Sequence, residues 1–349
     1  MAACTKAPEP YQWQLPEGFP APLVPEDNPM SQAKVTLGRH LFYDRNLSAN
    51  ASQSCADCHQ QQYAFAEPKV TAIGSTGEAH RRNSQSLVNV AYNGSFTWAH
   101  SGLSHIEQQL LIPLFGEKPV EMGISGHENE VLARLDTPQY HALFKEAFPG
   151  EEVSFSLVVK ALASFVRSLL SFDSPFDHYA YGGDDSALSD SAQQGLALFF
   201  SEQLECHHCH GGFNFTQSSK HERQQLDLRP FHNTGLYNED GQGAFPIADQ
   251  GLIEISQQSR DMGHFRAPSL RNVAVSAPYM HDGSLATLEE VIDFYAAGGR
   301  GNGINSPLKS PFVKGFEITD AQKQDLLAFL HSLTDPAFLN NPRHGPPKP

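Results

Sequence analysis

The chain is short of positive charge: 24 Lys and Arg stand against 39 Asp and Glu in 349 residues, a formal charge of −15. That balance excludes a nucleic-acid partner, because phosphate binding needs a basic stripe. It leaves room for a locally basic protein partner, although acidity mostly serves solubility. No apolar run approaches the length of a membrane span. Few stretches alternate polar and apolar residues as half-buried strands do, so the expected fold is mainly α. The hydrophobic share, 40%, suffices for the cores of two domains of ordinary size.

Cysteine is also scarce, and four of the five are spent on two pentads, Cys55-Ala-Asp-Cys58-His59 and Cys206-His-His-Cys209-His210. In each, the thiols can add across the vinyl groups of a haem and the adjacent imidazole becomes an axial iron ligand. Such pairs also hold structural zinc. Zinc usually wants two more Cys or His near each pair, and it does not require His directly after the second Cys twice over. Two covalent haems c are the better reading. His207 and His208 lie inside the second pentad, where identity is loose, and take no role. The fifth cysteine, Cys4, follows Ala2-Ala3, as at the end of a bacterial lipoprotein signal. It is a candidate lipid anchor or, equally, a free cysteine in a loose terminus. Thioether-bound haem points outside the cytoplasm, to a periplasmic setting.

Landmarks recur in the same order in both halves. Gly38-x-x-Leu41-Phe42-Tyr43 precedes the first pentad and Gly195-x-x-Leu198-Phe199-Phe200 the second. Ser86-Leu-Val-Asn89-Val-Ala91 follows the first, and Ser269-Leu-Arg-Asn272-Val-Ala274 the second. Each half closes on an amphipathic helix, one through Leu157, Leu162, Phe165 and Leu169, the other through Leu326, Leu330 and Leu333. The second opens with the capping-box pattern Thr319-x-x-Gln322. The expectation is two tandem cytochrome c-like domains, 31–178 and 179–349, each with one covalent haem. Residues 1–30, rich in proline, should form an extended strap. The stretch 175–190 reads as the linker and 211–260 as long loops.

The halves differ where it matters for iron. Aligned on Asn89 and Asn272, and with one residue of slack, Tyr295 falls where Pro113 falls. A phenol oxygen can bind ferric iron and proline offers no ligand. The second haem is therefore closed on both faces and the first open on one. An open iron can bind peroxide, whereas a closed one only passes electrons. That asymmetry points to an enzyme rather than a plain electron carrier or haem sensor.

These motifs, with Arg82-Asn83, Ala91-Tyr92-Asn93, Trp98, Glu121 and Pro278-Tyr-Met-His281-Asp-Gly283, resemble the bacterial di-haem cytochrome c peroxidase/MauG superfamily over nearly the whole length. The resemblance implies that the haem on Cys55, Cys58 and His59 is peroxide-reactive and the one on Cys206, Cys209 and His210 transfers electrons. It implies that Gln109 and Glu121 form the distal polar pair, with Glu121 the acid/base. Trp98 would relay electrons between the haems and His281 would sit by the second haem. Asn83, through its side-chain oxygen, and Ser276 and Pro278, through carbonyls, would bind Ca2+.

Two departures from the peroxidases make the chain resemble the MauG-like branch. Typical peroxidases carry a histidine where Ser75 stands, in Ile73-Gly74-Ser75, and a methionine where Tyr295 stands. His80, five residues beyond Ser75, could swing onto the first iron, but beside Arg81-Arg82 it reads as solvent-exposed. The stretch Trp98 to Gly123 is most similar to MbnH-type di-haem enzymes. Those use peroxide to oxidise a tryptophan of a small periplasmic partner, of the MbnP kind, to kynurenine in a copper site. The implied function is a peroxide-dependent oxidase that spreads its oxidising equivalents over both haems and oxidises a partner tryptophan. The alternative is a cytochrome c peroxidase that reduces hydrogen peroxide with a small redox protein as donor.

Overall fold

A computed structural model describes residues 9–224, 226 and 229–348. Cys4 lies outside the described residues. Three helices in each half carry the architecture. In the first half they are α1 (Gln32–Tyr43), α2 (Ile106–Phe115) and α3 (Phe155–Arg167). In the second they are α4 (Asp190–Phe199), α5 (Leu288–Ala296) and α6 (Asp320–Ser332). No sheet forms among the described residues, only isolated bridges. The chain is mainly α, as its patterning predicts.

Local chemistry fixes where these helices start. Ser31 and Ser189 cap α1 and α4, their hydroxyls accepting from the backbone of Lys34 and Ala192. Thr319 and Gln322 close a reciprocal capping box on α6. The first helix of each half then crosses the last at a glycine. A Cβ at Gly38 would overlap the Ala161 carbonyl of α3, and one at Gly195 the Asp325 carbonyl of α6. Only glycine lets the backbones approach that closely, and the closeness seals both cores.

One core gathers Leu37, Leu41, Phe42, Leu162, Phe165 and Leu169; the other gathers Phe199, Phe215, Leu288, Leu326 and Phe329. Asn89 and Asn272 tie the end of each last helix. Both adopt the left-handed conformation, with φ of 55° and 59°, which asparagine tolerates better than most residues. Their N–H groups donate to the carbonyls of Leu169 and Leu333, each at 2.9 Å. Their side-chain oxygens accept from the N–H of Ser171 and Asp335, each at 2.8 Å. Helix-end carbonyls that would otherwise be orphaned are thereby satisfied. The amide of Asn89 also reaches Asn214 of the second half, at 3.1 Å.

The structure revises one segment. Residues 175–190, expected as a linker, open with a capped helix, Pro175–Ala180, whose Phe176 packs in the second core. Pro175 suits the first turn of that helix, because the missing N–H is not needed there. Asp177 is anchored by Arg271 through two bonds of 2.8 and 2.9 Å. Residues 9–30 contain no helix and turn back on themselves, Pro10 pairing with Ser31. On the way Phe19 packs edge-on against Phe172, Tyr181 and Phe213. The described residues of 211–260 are mainly loop, as their composition predicts, but Ile253–Ser256 forms one turn of α-helix and Ser259–Asp261 a 3-10 turn. No helix among the described residues is long and apolar enough to cross a membrane.

Candidate functional site

Each half encloses a cavity behind its pentad. That of the first half, about 360 Å³, is lined by Cys55, Cys58, His59, His80, Trp98, Gln109, Pro113 and Glu121. That of the second, about 240 Å³, is lined by Cys206, Cys209, His210, Arg266, His281 and Tyr295, with Asn83, Ser276 and Pro278 at its edge toward the first half. Trp98 and Gln85 line both. The predicted residues are thus brought together around two neighbouring cavities.

The pentads present neutral donors. All four thiols are free, and burial pushes them up, to about 12 at Cys55, Cys58 and Cys206 and about 11 at Cys209. Nδ1 of His59 lies 2.7 Å from the Phe65 carbonyl, and Nδ1 of His210 lies 3.0 Å from that of Pro268 and 3.3 Å from that of Phe215. Donating there, each imidazole keeps its lone pair on Nε2, as an iron ligand must. Burial depresses both histidines, His210 to about 4, so neither carries a proton that would block ligation. Phe65 and Phe215 hold their carbonyls in place with φ of 59° and 50°. That conformation is rare for a bulky side chain and occurs at the same place in both halves.

The second cavity fits a haem closed on both faces. The Tyr295 hydroxyl makes no hydrogen bond among the described residues, and burial raises the phenol, keeping it protonated until a cation displaces the proton. Tyr295 lines the cavity, so its hydroxyl is available to a bound iron. Arg266 is 4% accessible and meets only neutral acceptors, the carbonyl of Thr97 and the amide of Gln85. Burial lowers it to about 10. A buried guanidinium without a carboxylate suits the acidic edge of a haem. His281 stacks on Phe265, ring centroids 3.7 Å apart, and its Nε2 lies 3.9 Å from Asp249, which Arg82 grips with two bonds of 2.6 Å.

The first cavity has no phenol at the position matching Tyr295. Helices α2 and α5 begin at corresponding residues, Ile106 and Leu288, so Pro113 and Tyr295 stand at the same offset with no slack. One turn earlier, Gln109 in α2 matches Val291 in α5, and both line their cavities. Glu121 sits on a loop clamped to its surroundings: its carbonyl accepts from Ser75 N–H at 2.8 Å, and Met122 N–H donates to the Pro113 carbonyl at 2.9 Å. Gly74 abuts the Val120 carbonyl, and Ser75 is spent on backbone bonds rather than lining the cavity. Burial raises the Glu121 carboxyl to about 7. The 36% of its side chain that is accessible belongs to a residue lining the cavity.

His80 is the chief difference from expectation. Read as solvent-exposed, it is 13% accessible and lines the first cavity, its Nδ1 3.6 Å from Oε1 of Glu121. The His80 N–H bonds the Ala72 carbonyl at 2.8 Å and turns the loop inward, while Arg81 and Arg82 leave for Glu254 and Asp249. Gln85 and Arg266 were also missed, and no motif of their own signals them. At the seam between the cavities, Trp98 Nε1 donates to the Asn83 carbonyl at 2.8 Å. The Asn83 amide donates to Lys69 and Val70 carbonyls at 2.9 and 3.2 Å, which leaves its Oδ1 without a donor.

The chain is similar to known proteins over most of its length. A model of the family described as di-haem cytochrome c peroxidase matches residues 32–186. Cytochrome-c peroxidase IdrP1 of Denitromonas iodatirespirans is 34% identical over 92% of this chain and 87% of its own length. Methylamine utilization protein MauG of Methylorubrum extorquens is 34% identical over 95% and 86%. Among solved structures, a MauG-like protein associated with microbial copper homeostasis is 46% identical, with a TM-score of 0.94 over 97% of this chain and 99% of that one.

Proposed function

The chain belongs to the di-haem cytochrome c peroxidase/MauG family, and on that premise we propose that it uses hydrogen peroxide to oxidise a tryptophan of a small periplasmic partner protein. It is a haem-dependent oxidoreductase acting on peroxide and uses two haems c. The observation that carries the finer reading is the contrast between Pro113 and Tyr295 at one position of α2 and α5. Support comes from the similar protein described as associated with copper homeostasis, which fits a copper-binding partner; the kynurenine product rests on the resemblance to MbnH-type enzymes.

In this reading residues 31–178 form the peroxide-reactive domain and 179–349 the electron-transfer domain. When bound, the haems would supply the iron that cleaves the O–O bond and a store for the oxidising equivalents. Cys55, Cys58 and His59 hold the first; Cys206, Cys209, His210 and Tyr295 hold the second. Glu121 accepts a proton from peroxide at its carboxylate and returns it to the departing oxygen, while the Gln109 amide orients the substrate. His80, neutral beside Glu121, leaves that carboxyl free to take the proton. Trp98 spans both cavities and relays electrons between them. Arg266 and His281 orient the second haem. Asn83 Oδ1 and the carbonyls of Ser276 and Pro278 bind Ca2+ at the seam, an all-oxygen set suited to a hard cation.

Electron paramagnetic resonance of the ferric protein, before and after one equivalent of peroxide, tests the reading. One high-spin and one low-spin signal, lost together, are expected. The second reading is a cytochrome c peroxidase that needs reductive activation, and the inward position of His80 favours it. Two low-spin signals unmoved by peroxide would select that reading instead.

A further inference from the structure

The loop carrying the second pentad presents a group of donors outward that the reaction above does not use. Ligand atoms of Glu202, His207 and His208 all lie within 4.8 Å of one another. Nε2 of each histidine is 3.8 Å from a Glu202 carboxylate oxygen, one histidine on each oxygen. Nε2 of His208 is also 2.8 Å from Glu205. The two rings lie side by side, 4.2 Å between centroids, flanked by Phe200 and Phe312 at 6.0 and 4.3 Å. Stacking therefore orients them. Among the described residues their Nδ1 atoms are not tied to backbone carbonyls as those of His59 and His210 are, and His207 Nδ1 has no hydrogen-bond partner.

We propose that Glu202, His207 and His208 bind a divalent transition-metal ion of the zinc or copper type on the outer face of the second haem-attachment loop. Two imidazoles and a carboxylate suit Zn2+, Cu2+ and Ni2+, whereas Ca2+ and Mg2+ take oxygen shells. The rings are already paired, and Glu202, 80% accessible, is free to close toward the ~2.0–2.2 Å distances such ions require. Glu205, which contacts the same His208 nitrogen and is paired with Lys314, must yield that nitrogen to the ion. The site leaves a coordination position facing solvent. It is independent of the partner-oxidation reading, because none of its residues lines the first cavity.

The test uses holoprotein with both haems and excess calcium, titrated by calorimetry with Zn2+ and separately with Cu2+. One equivalent is expected to bind, and the Cu2+ resonance should carry hyperfine structure from two imidazole nitrogens. The double variant His207→Gln/His208→Gln, checked for full haem content by its visible spectrum, should lose more than the roughly 10–100-fold that removing a mere supporting residue costs. Absence of binding to the native protein overturns the proposal, and so does unchanged affinity in the double variant. If that variant fails to retain its second haem, Glu202→Gln decides: weakened Zn2+ binding supports the site and unchanged binding overturns it.

Discussion

Pro113 and Tyr295 occupy one position of a repeated helix, and each lines the cavity of its own half. The same helical face thus carries Gln109 and Pro113 on one side of the molecule and Val291 and Tyr295 on the other. One face offers a hydrogen-bonding amide and no iron ligand; the other offers a phenol and no competing amide. Tyr295→Met should raise the reduction potential of one haem, since a thioether favours the ferrous state. Tyr295→Phe should convert a low-spin signal to high-spin. Potentiometry and resonance on the two variants check this, and unchanged potentials would remove Tyr295 from the iron.

Glu121 sets a pH dependence. Burial places its carboxyl at about 7, so the proton-accepting carboxylate is scarce below that pH and dominant above it. His80 is depressed by burial and supplies no compensating positive charge near neutrality. The rate of reaction with peroxide should therefore rise through pH 7 to a plateau. Glu121→Gln should lower the rate by roughly 10²–10⁴-fold and abolish the rise. Stopped-flow mixing with peroxide across pH 5.5–8.5 (a range chosen to span about 7) gives both readouts, and a variant that keeps the native profile would assign the proton step elsewhere.

His80 offers a separate check. Because its Nδ1 lies toward Glu121, 3.6 Å away, and the proposed reading leaves the first iron open, His80→Gln should leave the high-spin resonance of the ferric protein in place. A new high-spin signal in the variant, absent from the native protein, would show instead that His80 closes the first site.

The repeat was legible because its physics is local. A glycine at a helix crossing, an asparagine in the left-handed region and a capping threonine each leave a mark in the sequence that needs no knowledge of the rest of the chain. The contrast between Tyr295 and Pro113 was legible by comparison of the halves, since a phenol can ligate iron and proline cannot. His80 was misread because its neighbours, Arg81 and Arg82, suggest a solvated turn; their partners Glu254 and Asp249 come from the other half and cannot be seen locally. Arg266 and Gln85 escaped for the same reason. Their contact joins residues 181 apart, and an isolated Arg or Gln has no pattern. The 175–190 segment misled because glycine and aspartate at its end masked a Pro-initiated helix at its start.

Calcium at the seam would bind where the halves meet, so its loss should be felt by both haems. Asn83→Ala removes the one side-chain oxygen of the proposed set and also the amide bonds to Lys69 and Val70. Chelation of the native protein is the cleaner experiment. It should change both haem spectra reversibly, with Ca2+ but not Mg2+ restoring them at equal concentration, because Mg2+ demands a tighter octahedron. Spectra indifferent to chelator, in protein shown by elemental analysis to have lost calcium, would dismiss the site.

The helix crossings allow a test of the repeat itself. Gly38 meets Ala161 and Gly195 meets Asp325 with no room for a Cβ, and the obstacle in both cases is a backbone carbonyl that cannot rotate away. Gly38→Ala and Gly195→Ala should each force α1 or α4 off its partner. In an ordinary exposed helix the same change would stabilise, because alanine is the better helix former. Here overpacking should win, at roughly 1–3 kcal/mol or more. For a domain of this size that corresponds to roughly 2–4 °C of melting temperature per kcal/mol. Thermal unfolding followed in the visible band reports each haem environment, and the two variants should be destabilised alike. A gain in melting temperature for either would mean that its helices are not held as closely as the shared glycine implies.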